Sequence, residues 1–458
     1  MKEERSMVHH SAHHTHEIDM LSGSLADKIV LFALPLAASS ILQQLFNAAD
    51  LAVVGRFASA EAMAAVGSNS SVINLIISLF VGLSVGANVL IASLIGTGHK
   101  ENIRSAVHTI ISVAFLSGCI LTVVGILVSG PILRLMGTPL EVMNLAILYL
   151  RIYFLAMPAI MTFNFGSAIL RSKGDSQRPL YALTASGILN IFLNLIFVVV
   201  FHLHVIGVAL ATVISNLLSA GMTLHFLMTE EEPYRLDLHR LTINKEHLIR
   251  MIQIGLPAGL QSAVFSLSNV VIQSTINSFG AAAIAGSTAV TYFDFFSYSL
   301  INAFAQAAVT FTSQNFGAKH YDRCKRVYLV SQFCGMGCSI TIVTILVLLR
   351  YQVIKIFTAD PAVIEYAMIR VMSCVVVHYL ITSYEISGGC LRGMNHSLIP
   401  ALICMGGTVG LRIFYIFTWF PGHRSFRNLF LVYPISWIVT GAIMMTAYFM
   451  IRRKEFRK

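Results

Sequence analysis

The sequence predicts an all-α polytopic membrane protein, with twelve transmembrane helices in two six-helix bundles related by an internal parallel repeat. Three observations support this fold class: the composition, the length of the apolar runs, and the repetition of motifs between the two halves. Of the 458 residues, 56% are hydrophobic and only 11% are charged, and the mean hydropathy is +0.76. Soluble domains carry about 25% charged residues, so the composition excludes that class.

Twelve apolar runs approach or exceed the length of about 20 residues that a bilayer-spanning helix requires. They lie at 29–54, 63–96, 104–128, 140–166, 178–201, 206–228, 249–277, 284–314, 325–349, 362–390, 398–419 and 428–451. Each run is predicted to form one transmembrane segment.

A charged linker, TEEEPYRLDLHRLTINKEHL, divides the runs into two sets of six. The predicted organisation is a polar cytoplasmic tail at 1–25, an N-terminal lobe at 26–228, the linker at 229–248, a C-terminal lobe at 249–451 and a basic tail at 452–458. Lysine and arginine are concentrated in the C-terminal tail and in the loops after even-numbered runs, which predicts that both termini are cytoplasmic. These loops explain the net charge of +10, so no nucleic-acid partner is expected.

The two halves repeat the same motifs at an offset of about 220 residues. The matched pairs are Leu34 with Leu256, Pro35 with Pro257, Asn47 with Asn269, Pro139 with Pro361, Arg171 with Arg392, and Pro179 with Pro400. Because each half has an even number of spans, both halves enter the membrane from the same side, and the repeats are parallel. This architecture predicts a cavity between the bundles and alternating access by rocking.

Three carboxylates remain inside the spans once the helix ends are discounted: Asp50, Asp294 and Glu385. A carboxylate in hydrocarbon costs several kcal/mol unless it is paired, protonated or hydrated, so each one is a functional hypothesis. Asp50 shares its span with Gln43, Gln44 and Asn47.

Other polar residues could join Asp50. Asn190 and Asn194 are spaced i, i+4, which puts two amide oxygens on one helix face, and Thr212 and Tyr149 lie on the neighbouring predicted spans. Oxygen ligands suit a hard cation such as Na⁺, or a proton relay through one carboxylate. The alternative is that the amide and hydroxyl groups only join helices by hydrogen bonds.

Four motifs occur in order: LPLAASSILQQLFNAADLAVVGRF, AMAAVG, LRSKGDSQRP and GGCLRGMNHSLIP. In these the sequence resembles the MATE (multidrug and toxic compound extrusion) family, in its bacterial branch, and the resemblance covers nearly the whole chain after residue 25. It implies a twelve-helix exporter with two six-helix lobes that expels drug-like, often cationic compounds in exchange for Na⁺ or H⁺.

The resemblance assigns Asp50 as the carboxylate whose protonation or sodium binding drives transport, and places Tyr149, Asn190 and Thr212 around the same site. Asn194 departs from the family pattern, in which a second Asp is frequent at this position. The loss of that negative charge makes strong Na⁺ binding less expected and favours H⁺. The resemblance also implies that the helix bends at Pro35 when the site is protonated, although a static kink is the alternative.

The second half lacks the carboxylate that some relatives carry just after the proline of the seventh helix, since the segment reads PAGLQSAVFS. Glu385 and Asp294 are candidate replacements, with a structural hydrogen-bonding role as the alternative for both. The aromatic residues Tyr292, Phe293 and Phe296 are candidate drug contacts, with core packing as the alternative.

The expected function is a secondary active antiporter that exports small amphipathic drugs by alternating access, with H⁺ or Na⁺ as the coupling ion, no cofactor and no metal site. It is expected to act as a monomer in the lipid bilayer of the bacterial cytoplasmic membrane. The alternatives are a flippase or exporter of a lipid-linked or other metabolite, a membrane enzyme, and a channel. No HExxH or P-loop motif supports an enzyme.

Overall fold

The computed structural model describes residues 17–57 and 60–457, and it is all-helical over that part of the chain. The predicted tail therefore lies mostly outside the described residues. The first-half helices are α1 Ala26–Phe57, α2 Ala60–Thr97, α3 Lys100–Leu135, α4 Leu140–Phe154, α5 Met157–Ser172, α6 Gln177–Leu195 and α7 His204–Met228. The second-half helices are α8 Lys245–Asn277, α9 Ala281–Gly317, α10 Tyr321–Leu348, α11 Arg350–Phe357, α12 Pro361–Ser373, α13 Ile381–Gly393, α14 Leu398–Cys404, α15 Leu411–Thr418 and α16 Phe426–Glu455.

The apolar runs correspond to these helices. Within the described residues, ten helices are long and apolar enough to cross a membrane, and α4 with α5 forms an eleventh span that is bent by 47°. Leu155 and Ala156 separate α4 from α5, and Pro158 lies in the first turn of α5, where its missing N–H is tolerated. The remaining predicted run, 284–314, forms α9, along which serine, threonine, asparagine and glutamine side chains are frequent.

Three spans contain local departures from the α-helix. A π-helical turn, Ile196–Val200, continues α6, and a second, Met405–Gly410, joins α14 to α15. A 3₁₀ segment, Val375–Leu380, joins α12 to α13. By contrast, α1 continues through Pro35 as one helix of 32 residues, with Pro35 and Asp50 both inside it.

The chain forms two compact units. Within the described residues, the first contains 17–24, Ala38–Ser71 and Leu90–Leu248, and the second contains Leu25–Ala37, Val72–Val89 and 249–457. The unit boundaries thus fall inside α1 and α2, whereas the sequence interpretation assigned both helices whole to the N-terminal lobe.

Close packing explains why part of α2 belongs to the second unit. A Cβ added at Gly82 would collide with the backbone of Gly259 in α8, so two glycines allow these backbones to touch. Small residues serve the same purpose in many membrane helix pairs, because lipid provides no hydrophobic force between helices. Val89, Ile254 and Val309 complete a small apolar cluster there.

In the first unit, a charged network holds the linker and the N-terminal segment against the loop between α5 and α6. Lys173 Nζ lies 2.5 Å from both Glu17 Oε1 and Glu230 Oε2, and Arg178 pairs with Glu230 and Asp175. The Lys173 ammonium is also 4.5 Å from the centre of the Tyr234 ring. Lys173, Asp175 and Arg178 of the LRSKGDSQRP motif therefore have a structural role at this end of the helices.

Burial and the carboxylates of Glu17 and Glu230 raise the pKa of the Tyr234 hydroxyl to about 12. Tyr234 is thus neutral at physiological pH. The linker is fixed further along by two backbone groups, since the N–H of Asp237 donates to His108 Nε2 at 3.1 Å and the N–H of Asn244 donates to Thr109 Oγ1 at 3.0 Å.

Candidate functional site

The candidate site is a chain of hydrogen bonds that begins at Asp50 in the first unit. The Asn194 amide Nδ2 donates to Asp50 Oδ1 at 2.5 Å and to Asn190 Oδ1 at 3.1 Å. Asn190 Nδ2 in turn donates to Ser215 Oγ at 3.3 Å. The chain therefore joins three helices, α1, α6 and α7, through polar side chains inside the membrane.

Helix geometry places these groups. Asn190 and Asn194 are one turn apart on α6, so their side chains meet on one face, as the sequence predicted. Both are buried, and Asn194 is fully buried. Asp50 lies near the end of α1 and is partly buried.

The surroundings of Asp50 do not compensate a permanent negative charge on its carboxylate. Among the described residues, no basic side chain lies within ion-pair distance of Asp50, and Asn194 is its hydrogen-bond donor. The other amide atom of Asn194, Oδ1, is buried and has no hydrogen-bond partner. A carboxylate and an unpaired amide oxygen side by side can accept a proton or ligate a hard cation.

Of the remaining predicted residues, Tyr149 lies near Asp50, whereas the Thr212 hydroxyl bonds within its own helix. Tyr149 is buried in α4 beside Tyr153, with ring centres 6.2 Å apart, and both lie within electrostatic range of Asp50. Thr212 Oγ1 donates to the Val208 carbonyl of its own helix at 2.9 Å. The structure thus places Thr212 one turn before Ser215 without joining its hydroxyl to the hydrogen-bond chain.

Gln43, Gln44 and Asn47 have exposed side chains on α1. Within the described part of the chain, none of the three makes a hydrogen bond with Asp50. These side chains lie on the same helix as Asp50 but do not hydrogen-bond to its carboxylate.

Ser215 and Tyr153 were not identified from the sequence. Tyr153 follows Tyr149 at i+4, and Ser215 follows Thr212 at i+3, so helical spacing from a residue already chosen would have found both. The signal was available, but serine and tyrosine are common enough in such helices that spacing alone does not single them out.

A glycine holds α1 against α6 beside the site. A Cβ added at Gly187 would overlap the ring of Phe46. Gly187 lies one turn before Asn190, and Phe46 lies one turn before Asp50. The absence of a side chain at Gly187 therefore allows the close approach that brings Asp50 and Asn194 within hydrogen-bonding distance.

We expect Gly187→Val to reduce transport strongly, because the added methyl groups push α1 away from α6 and break the contact between Asp50 and Asn194. The control is Gly221→Val, since a Cβ at Gly221 would meet no atom within 4 Å. Phe46→Ala in the Gly187→Val background removes the obstructing ring and should restore part of the activity. Equal rates in both glycine variants would contradict this role, as measured by dye efflux normalised to protein amount.

The carboxylates of the second unit have partners. Arg370 Nη2 donates to Asp294 Oδ2, and His378 Nε2 lies 3.2 Å from Asp294 Oδ1. The Tyr298 hydroxyl donates to Glu385 Oε1 at 3.4 Å. The Asp294 carboxylate therefore ties α9 to α12, and both interpretations of this residue stay predictions.

The aromatic candidates in α9 differ in burial. Phe293 is 1% exposed and belongs to a core cluster with Val290, Ile354, Ala367, Val371 and Val375, so it packs inside the second unit. Tyr292 is 40% exposed, and Phe296 is partly buried with its ring edge-on to Phe295. Tyr292 and Phe296 remain predicted drug contacts.

The fold and the site together define a polytopic helical membrane protein with a carboxylate bonded to an amide inside one unit. The chain belongs to the MatE family, whose model matches residues 35–196 and 257–418. The two matched segments confirm the internal repeat and the fold class, and the family resemblance predicted from the motifs is confirmed. Members of this family of multidrug efflux proteins are transporters and not enzymes.

Two curated relatives match over most of their length. The chain is 28% identical over 390 residues to "Probable multidrug resistance protein YoeA" of Bacillus subtilis, which covers 84% of each chain. It is 25% identical over 382 residues to "Probable multidrug resistance protein NorM" of Thermotoga maritima, which covers 82% of each. A solved structure, "Outward-facing conformation of a multidrug resistance MATE family transporter of the MOP superfamily", shares the fold, with a TM-score of 0.90 at 22% identity over 97% of this chain and 99% of that one.

Proposed function

We propose that the protein is a secondary active antiporter that exports small amphipathic, often cationic drugs in exchange for H⁺ or Na⁺ by alternating access. Asp50 takes up the coupling ion in this proposal, and Asn194, Asn190 and Tyr149 form the surroundings of the site. The observation that supports it most is the partly buried Asp50 carboxylate, with one amide donor and no basic partner among the described residues. Such a group is stabilised by binding a proton or a cation.

The names of the relatives support the drug-like substrate class, since both are described as probable multidrug resistance proteins. The distribution of lysine and arginine supports an orientation with both termini on the cytoplasmic side of a bacterial membrane. The protein is proposed to act there as a monomer, with the linker 229–248 on the cytoplasmic side.

Transport by purified protein in liposomes tests the proposal. Proton and sodium gradients are imposed separately, and the movement of a fluorescent cationic dye such as ethidium is followed against its own gradient. One of the two ion gradients is expected to drive dye accumulation, and the other to have little effect. Dye movement that is indifferent to both gradients, or no accumulation under either, contradicts the proposal.

We expect Asn194→Asp to increase the dependence of transport on Na⁺. The substitution replaces a neutral amide beside Asp50 with a second carboxylate, and two carboxylates hold a hard cation more strongly than one. The control is Asn164→Asp, because Asn164 Nδ2 donates to the Ile160 carbonyl of its own helix and not to Asp50. Dye uptake at increasing Na⁺ concentrations measures the effect, and an unchanged cation preference in Asn194→Asp contradicts the site.

A further inference from the structure

The second unit contains a buried arginine that neither the site nor the proposed function uses. Arg412 lies at the start of α15, inside the span Leu398–Thr418, and is 1% exposed. The Nε group donates to Ser436 Oγ of α16 at 3.2 Å. Nη1 and Nη2, which carry four of the five guanidinium N–H groups, are buried and have no hydrogen-bond partner.

The other charged groups of the second unit do not neutralise Arg412. Among the described residues, no carboxylate forms an ion pair with its guanidinium. Asp294 is paired with Arg370 instead, and Glu385 accepts from Tyr298. Arg370, also buried, shows the contrast: its Nη1 and Nη2 donate to Ser287 and Asp294. A guanidinium without an anion in the membrane interior leaves one uncompensated positive charge.

Two aromatic rings flank the Arg412 guanidinium. Its Cζ atom lies 4.3 Å from the ring centre of Tyr433 in α16 and 5.2 Å from that of Phe265 in α8. Aromatic faces attract the cation but accept no in-plane hydrogen bonds, so the N–H fork stays available to a planar acceptor. The Arg412 guanidinium of α15 therefore lies between aromatic rings of α8 and α16.

The backbone next to Arg412 is also unusual. The π-helical turn Met405–Gly410 ends directly before α15, and π-turns inside α-helices are frequent at functional sites. The Thr408 and Thr440 hydroxyls, 3.0 Å apart, join this turn to α16. The turn sets the rotation of α15 and therefore the direction of Arg412 towards Ser436 and Tyr433.

We propose that Arg412 binds the oxyanion of an amphipathic solute, a carboxylate in the first instance, while Tyr433 and Phe265 contact its apolar part. This inference rests on the proposed transport function, because a solute recognised inside the membrane is one that the protein carries. It assigns Arg412 as the group that recognises the anionic end of such a solute. Arg412 is buried in the conformation described, so binding requires the side chains around it to move.

A pair of dyes that differ only in this charge tests the proposal. Rhodamine 110 carries a free carboxylate, and rhodamine 123 is its methyl ester. Fluorescence anisotropy measures the binding of each to purified protein in phosphatidylcholine nanodiscs at neutral pH. Arg412→Gln is expected to weaken the binding of rhodamine 110 by about tenfold, as for the loss of a charged hydrogen bond, and to leave rhodamine 123 within about twofold.

Three controls separate the outcomes. Arg452→Gln removes an arginine that also contacts two rings, those of Tyr448 and Phe449, and should change neither dye. Arg412→Lys keeps a cation at this position and replaces Arg412→Gln if that variant does not fold. It should weaken the binding of rhodamine 110 alone, because the two-pronged guanidinium is lost. Nanodiscs that contain phosphatidylglycerol, whose headgroup lacks the cation that balances the phosphate of phosphatidylcholine, show whether an anionic lipid supplies the same oxyanion, in which case they suppress rhodamine 110 binding to the wild-type protein only.

Two results overturn the inference: both Arg412 variants bind rhodamine 110 as tightly as the wild-type protein, or they lose both dyes by the same factor. The measurement uses no ion gradient. A failure of coupled transport therefore leaves the binding result intact, and the two proposals can fail separately.

Discussion

Asp50→Asn is expected to abolish dye export and to leave the protein folded and inserted. The substituted amide can still accept the hydrogen bond from Asn194 Nδ2, so the contact between α1 and α6 is kept. It cannot take up a proton or supply the charge that holds a cation, so the ion gradient no longer drives transport. Dye efflux from cells or everted vesicles measures the loss, which should reach the level of vesicles without the protein.

The control for this substitution is Asp322→Asn, at an exposed carboxylate that is bonded to Lys325 at the start of α10. It makes the same chemical change outside the membrane-spanning part of the helix, and export should stay at the wild-type rate. Detergent extraction and size-exclusion chromatography confirm that both variants are folded. Wild-type efflux by Asp50→Asn contradicts the assignment of the coupling site.

Arg370→Met is expected to destabilise the protein by about 3 kcal/mol, the low end of the range for removing one partner of a buried ion pair. The Arg370 side chain is 10% exposed, whereas that of Asp294 is 23% exposed and so retains some hydration. The substitution also removes two hydrogen bonds to Ser287 that tie α12 to α9. Thermal unfolding of the detergent-purified protein measures the effect.

The double variant Arg370→Met with Asp294→Leu distinguishes the ion pair from simple packing. Removal of both charges leaves no unpaired carboxylate, so the double variant should be more stable than Arg370→Met alone. If the double variant is as unstable as the sum of two independent losses, Asp294 is not stranded by the loss of Arg370, and the structural role assigned to this pair is wrong.

The positions of the helices could be predicted from the sequence because hydrophobic length determines what spans a bilayer. Local breaks were not predicted. The bend at Ala156 and the π-turn Met405–Gly410 lie inside continuous apolar runs, although Pro158 beside the bend and the glycines in the turn were available as signals. The short helix α11 was also missed, because it lies between two predicted runs and its eight residues, RYQVIKIF, are too few and too polar to form a span.

The candidate site was partly predictable. The spacing of Asn190 and Asn194 predicted one helix face, and a carboxylate inside an apolar run singled out Asp50. That Asn194 bonds to Asp50, 144 residues away in the chain, depends on the packing of α1 on α6, which a single sequence does not reveal. The same packing leaves Gln43, Gln44 and Asn47 exposed, although they share the helix with Asp50.

The partners of the charges in the second unit illustrate the same limit. Asp294 was found because a carboxylate in an apolar run is conspicuous, but its partner Arg370 lies 76 residues away. Arg412 is equally conspicuous within its run, and the rule that intramembrane charges are functional applies to it as well. The sequence alone does not show that Arg412 is buried or that no anion lies beside it.

Ion movement driven by the dye is the measurement that tests the central account most directly. Proteoliposomes are loaded with dye and contain no ion gradient, and a pH-sensitive or Na⁺-sensitive fluorophore reports ion movement across the membrane. An antiporter coupled through Asp50 moves H⁺ or Na⁺ inward as the dye leaves, and Asp50→Asn moves neither. Dye exit without ion movement in the wild-type protein, or coupled exchange that persists in Asp50→Asn, contradicts the account.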